Sequence, residues 1–141
     1  MDDREAAGNR AEATPGASMI VLRRDAVLMV KRARAPAKGL WSFPAGRREP
    51  GEDAETNARR ELFEETGLTV GALARLGAFS PTSEFWVTVF AARAGADDPV
   101  AGDDAERAEY VPFSAVLTRP LTRGAPGWIA RAIVALSGLA R

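Results

Sequence analysis

The chain has 141 residues, 46% of them hydrophobic and 27% charged, enough for one ordinary domain that buries roughly two thirds of its unfolded surface. Its 19 basic and 19 acidic residues cancel, so no global positive field would draw nucleic acid or an anionic membrane surface, and phosphate binding must come from local charge. Cysteine and histidine are both absent; disulfides, thiol chemistry, the usual zinc sites and any histidine base are thereby excluded, and carboxylates remain as the strong ligands and bases.

Residues 1–17 are small, polar and charged without any period and close on Pro15-Gly16, which predicts a flexible N-terminal tail ahead of a single domain over residues 18–141. The start Asp2, Asp3, Arg4, Glu5 is unlike a signal peptide, and no run approaches the length of a membrane span, so a cytoplasmic protein without membrane or nucleic-acid partners is expected. Met19–Leu22 and Ala26–Lys31 read as a hairpin, residues 32–39 as a basic loop carrying Pro36 and Gly39, and Leu40–Phe43 as a short strand that Pro44 ends. Asp53–Thr66 reads as a helix with Asp53 as N-cap and Gly67 as terminator. Leu73–Phe79 and Phe85–Ala92 read as strands, the second alternating Phe85, Val87, Val89 against Trp86, Thr88, Phe90, with one face expected in the core and the other on a sheet surface or pocket wall. Gly95–Asp104 is a loop, Ala108–Pro112 a last short strand, and Gly127–Leu139 a helix whose stripe Ile129, Ala132, Ile133, Leu136 packs on the sheet. Strands interrupted by two helices indicate an α/β or α+β sandwich with a mixed sheet.

The chemistry concentrates in the first helix. Glu61, Glu64 and Glu65 stand at i, i+3 and i+4 and therefore share one arc of the helix. Like charges at that spacing oppose the helix, and burial would raise their pKa values unless a cation compensates. An isolated triplet of this kind is most often a solvated face paired with neighbours such as Arg59 and Arg60. With only hard oxygen ligands at hand, the functional alternative is Mg2+ or Mn2+, which share their shells with substrate phosphates.

Residues 46–68, GRREPGEDAETNARRELFEETGL, decide between the two. They carry Gly46, then Glu52, then Arg60-Glu61-Leu62, Glu64-Glu65 and Gly67-Leu68, and this resembles the Nudix box at every fixed position. The resemblance to the Nudix hydrolases implies an α/β/α sandwich with a mixed central sheet in which the box forms loop, helix and loop. It further implies Glu61, Glu64 and Glu65 as metal ligands, the Ala45 carbonyl as another, and Glu52–Arg60 as a structural salt bridge. Ala45 departs from the family's usual Gly but keeps the carbonyl. The implied reaction is hydrolysis of a diphosphate bond. Its general base is Glu61 or Glu64 on the helix, or Asp103 or Asp104 in the later acidic loop, with Asp104 favoured over its neighbour; the two Asp residues can equally be turn formers.

Arg32, Arg34, Lys38 and Arg47 are candidates for phosphate contact. Phe85 is the first candidate for a base slot, with Trp86, Phe79 and Phe113 behind it. The segments VLMVKRARAPAKGLWSFPAG and Gly102-Asp103-Asp104-Ala105 resemble the ADP-ribose pyrophosphatase-like branch, so a small-molecule nucleoside diphosphate derivative such as ADP-ribose is the expected substrate. A nucleoside triphosphate pyrophosphatase and a non-catalytic nucleotide-binding sensor are the alternatives. Homodimers are common among such relatives, although no interface is legible here.

Overall fold

The computed structural model describes residues 15–35, 37–82 and 85–139; residues 1–14 of the expected tail and Pro36 lie outside them. The tail as expected runs two residues too far, because Gly16 and Ala17 already belong to the first strand and Ala17 is fully buried. Small residues there fit a tightly packed strand as well as a linker, which is why composition misplaced the boundary.

Strands β1 (Gly16–Arg23) and β2 (Ala26–Arg32) form the expected hairpin around Arg24-Asp25, with Arg24 at φ 54°. They pair at Leu22↔Val27 and Arg23↔Ala26 and then diverge. Residues 41–47 fill the wedge: β3 (Trp41–Ser42) pairs antiparallel with β2, while β4 (Ala45–Arg47) pairs antiparallel with β1 through Gly16↔Arg47, Ala17↔Gly46 and Ser18↔Ala45. Pro44 does end β3, but its carbonyl accepts the Met19 N–H at 3.0 Å, so the chain changes partner and continues instead of turning away.

Helix α1 (Ala54–Thr66) follows, then β5 (Ala74–Thr82), β6 (Phe85–Arg93), β7 (Ala105–Pro112), a short helix α2 (Phe113–Val116) and α3 (Ala125–Leu139). β6 runs parallel to β1 from Gly16↔Val87 to Leu22↔Arg93, β5 is antiparallel to β6, and β7 is antiparallel to the free side of β2. The result is a mixed sheet ordered β3-β2-β1-β6-β5, with β4 on β1 and β7 on β2.

Two apolar layers flank this sheet. Ala54, Ala58 and Leu62 of α1 pack on Ala17, Met19, Val21, Leu28 and Phe90; Ala125, Trp128, Ile129, Ala132 and Leu136 of α3 pack on Ile20, Leu22, Val27, Met29, Val87 and Val89. The expected α/β/α sandwich is thus the observed one. Two expectations change. Both faces of β6 are buried, Thr88 and Phe90 as well as Val87 and Val89, because a strand between β1 and β5 with a helix layer on each side has no solvent face. Ile133 is 38% exposed, since the buried stripe of α3 is centred on Ala125, Trp128, Ile129, Ala132 and Leu136 and leaves Ile133 on its flank. Among the described residues no helix is long and apolar enough to cross a membrane.

Candidate active site

The caps of α1 set the register of its acidic face. Asp53 accepts the Thr56 N–H at 2.8 Å, and Gly67, at φ 74°, returns its N–H to the Phe63 carbonyl. The last carbonyls of the helix are also satisfied: Glu65 O accepts from Gly102 N–H at 3.0 Å and Thr66 O from Val100 N–H at 2.9 Å. The acidic loop is therefore fastened to the end of the helix that carries the glutamates.

Glu61 and Glu65 point inward and are 9% and 7% exposed, whereas Glu64 lies at the surface. Opposite them runs β4. The Ala45 N–H donates to Glu65 Oε2 at 2.9 Å, and a Cβ on Gly46 would fall inside the Glu61 carboxylate, so glycine at this position is a condition for burying Glu61. An extended residue sends its N–H and C=O to the same edge of the strand; the Ala45 carbonyl consequently faces α1 as well.

Arg60 ties the loop before the helix to the acidic face. Its Nε and Nη2 donate to Glu52 Oε2 and Oε1 at 2.6 and 3.0 Å, its Nη2 to the Arg47 carbonyl at 2.8 Å, and its Nη1 to Glu61 Oε1 and Glu64 Oε2 at 2.9 and 3.0 Å. The bond from Arg60 holds the Glu52 carboxyl below its usual range. Replacing Arg60 by Ala leaves Glu52, whose side chain is only 11% exposed, without its counter-ion. The expected loss is about 3 kcal/mol of unfolding free energy, measured by urea denaturation; a loss below about 0.5 kcal/mol would put the pair in the class of ordinary surface contacts.

The electrostatics of the inward pair are different. Burial, and then the charge of Glu61, push Glu65 up to about 8; burial likewise raises Glu61, offset in part by Arg60. Arg32 acts on Glu65 in the opposite sense, and Asp103 adds negative charge to both glutamates. Among the described residues no three acidic side chains converge closely enough to hold a metal ion as they stand, because Arg60 Nη1 lies between Glu61 and Glu64. The donor set nevertheless fits a hard divalent cation: three carboxylates and a strand carbonyl, all oxygen, with a buried charge that Arg60 does not reach at Glu65.

The other residues singled out from sequence are divided. Arg32 lies within electrostatic range of Glu65. Arg34 instead pairs with Asp104 at 3.3 Å, both largely exposed, and the Asp104 carbonyl accepts the Ala33 N–H. Asp103, at φ 52°, is the loop residue whose charge acts on both glutamates, whereas Asp104 is engaged by Arg34; side-chain type alone could not separate two adjacent Asp residues. Arg47 lies over the half-buried Phe85 ring at 4.8 Å, on the side of β4 away from α1. Sequence reading passed over Asn57, fully buried on α1 with Nδ2 3.3 Å from the Gly46 and Arg47 carbonyls. The sequence offered only an Asn inside a helix, a residue type that helix interiors disfavour.

Comparison with known proteins follows the same lines. Residues 13–132 match the family model described as the NUDIX domain. The chain is 34% identical over 96 residues to the ADP-ribose pyrophosphatase of Methanocaldococcus jannaschii, covering 64% of this chain and 57% of that protein. It is 39% identical over 59 residues to the oxidized purine nucleoside triphosphate hydrolase of Danio rerio, covering 42% and 38%. It spans less than two thirds of the length of the curated relatives it matches first. In fold it is similar to the NUDIX domain of Shewanella oneidensis NrtR complexed with ADP ribose, with a TM-score of 0.78, 21% identity and coverage of 96% and 99%.

Proposed function

The chain belongs to the Nudix family, and from that premise we propose that it hydrolyses the diphosphate bond of a nucleoside diphosphate derivative such as ADP-ribose, using Mg2+ or Mn2+ held by Glu61, Glu64, Glu65 and the Ala45 carbonyl. One observation carries this reading: a buried Glu61–Glu65 pair, with Glu65 pushed up to about 8, facing a strand that has no side chain at Gly46. A cation bound there would supply Lewis-acid neutralisation of the diphosphate and acidify the attacking water.

The chain's own groups do the rest. Arg32 offers a fork for phosphate oxygens beside Glu65. Asp103, fastened to the helix end through Gly102, takes the water's proton, and Asp104 with Arg34 holds the loop. Arg47 over Phe85 lies on the far side of β4 and is left out of this contact. ADP-ribose is favoured by the name of the archaeal relative and by the ADP ribose complexed with the Shewanella oneidensis neighbour.

Incubation with ADP-ribose and Mg2+ should release AMP and ribose 5-phosphate. If triphosphates are turned over to pyrophosphate instead, the second reading suggested by the Danio rerio relative replaces the first; tight binding with no turnover of either class would make the protein a sensor. Within the hydrolase reading, Asp103→Asn should lower kcat about a hundredfold and Asp104→Asn by less than about fivefold. Equal losses, measured under substrate saturation, would remove the distinction between the two.

A further inference from the structure

We propose that Asn57 is a positioning residue that locks the C-terminal half of β4, so that the Ala45 carbonyl is presented to the cation; the proposal rests on the reading of Glu61 and Glu65 as a cation site. Asn57 lies one helical turn before Glu61 and is 0% exposed. Its Nδ2 donates to the carbonyls of Gly46 and Arg47, both at 3.3 Å, while its Oδ1 is buried with no hydrogen-bond partner among the described residues. Asparagine is a poor residue for the interior of a helix, and an amide with an unused buried acceptor is less favourable there than an apolar side chain of the same shape. Packing therefore does not explain it, and the two donated bonds do.

Those bonds fall where β4 most needs support. Gly46 has the freest backbone of the strand, and it separates Ala45, whose N–H is held by Glu65, from Arg47, whose carbonyl is held by Arg60. The other edge is fixed on β1 by Met19 N–H to Pro44 O and Arg48 N–H to Pro15 O. Asn57 grips the carbonyls on both sides of Arg47 and so limits rotation of the segment whose preceding carbonyl would meet the metal.

Asn57→Ala and Asn57→Leu remove the donors, the second with little change of volume. Mn2+ binding to the nucleotide-free protein, read by electron paramagnetic resonance, should weaken about tenfold in both, as for other groups that orient metal ligands, while Tm in EDTA stays level or rises by about 2 °C as the orphaned acceptor disappears. Mn2+ affinity within about twofold of wild type, whether or not Tm falls, would overturn the assignment and make Asn57 a packing residue. If the wild-type protein binds no Mn2+, the cation reading of the site fails and the role of Asn57 with it. Should the Leu variant not fold, the Ala variant alone decides.

Discussion

Glu65→Gln should yield a protein that is more stable than wild type at pH 8 in EDTA, and on the order of a thousandfold slower as an enzyme. The reason is the same for both effects. The Glu65 carboxyl is raised from 4.5 to about 8 by burial and by Glu61, so the folded state binds its proton more tightly than the unfolded chain does. The stability that this proton contributes is fully present below pH 4.5 and is lost as pH rises through about 8, each unit of difference being worth about 1.4 kcal/mol. Metal-free wild type should therefore lose Tm progressively between pH 5 and pH 8, and Mg2+ should restore it. Glutamine still accepts the Ala45 N–H but carries no charge, so the Gln variant should show a flatter profile, an advantage of about 3 °C or more at pH 8, and no Mg2+ response. Parallel pH profiles for the two proteins would refute the buried-charge explanation of the site.

Gly46→Ala is expected to be the most damaging single methyl group in the chain. Its Cβ would occupy the position of the Glu61 carboxylate, and the backbone on one side is held by β1 through Ala17↔Gly46, so the Glu61 side chain is the partner that must yield. The expected cost is about 2 kcal/mol of stability from overpacking, with kcat/KM lowered at least a hundredfold because Glu61 must leave the site. Chemical denaturation and steady-state kinetics on the same preparation check both numbers. Wild-type kcat/KM in the variant would mean that Glu61 has no role at the position the fold gives it.

How much of this was legible beforehand depended on whether local chemistry decides each element. α1 was readable to the residue, since Asp53 and Gly67 act on their own neighbours, and so was the hairpin that turns at Arg24-Asp25. The Glu52–Arg60 bridge and the acidic face needed only helical spacing and the pattern of the box. β4 was invisible, because the three residues Ala45–Arg47 have no apolar period and become a strand only through β1. The burial of both faces of β6 depends on the two helix layers, and the pairing of Arg34 with Asp104 on how the loop is fastened to the helix end by Gly102 and Val100. Asn57 escaped for a related reason: its partners, Gly46 and Arg47, are backbone groups ten or eleven residues away, which no side-chain motif records.

The wedge between β1 and β2 has one more implication. A strand that slips by a single residue turns all its side chains to the opposite layer. The segment 41–47 is registered against two different neighbours at once, β2 through Val30↔Ser42 and β1 through Ser18↔Ala45. A slip of one residue would put the side chain of Ala45 or Arg47 in the place of Gly46 and displace the Glu61 carboxylate. Molecules with the wrong pairing therefore lose the buried Glu61–Glu65 pair altogether, and correct register of the sheet is a precondition for that pair.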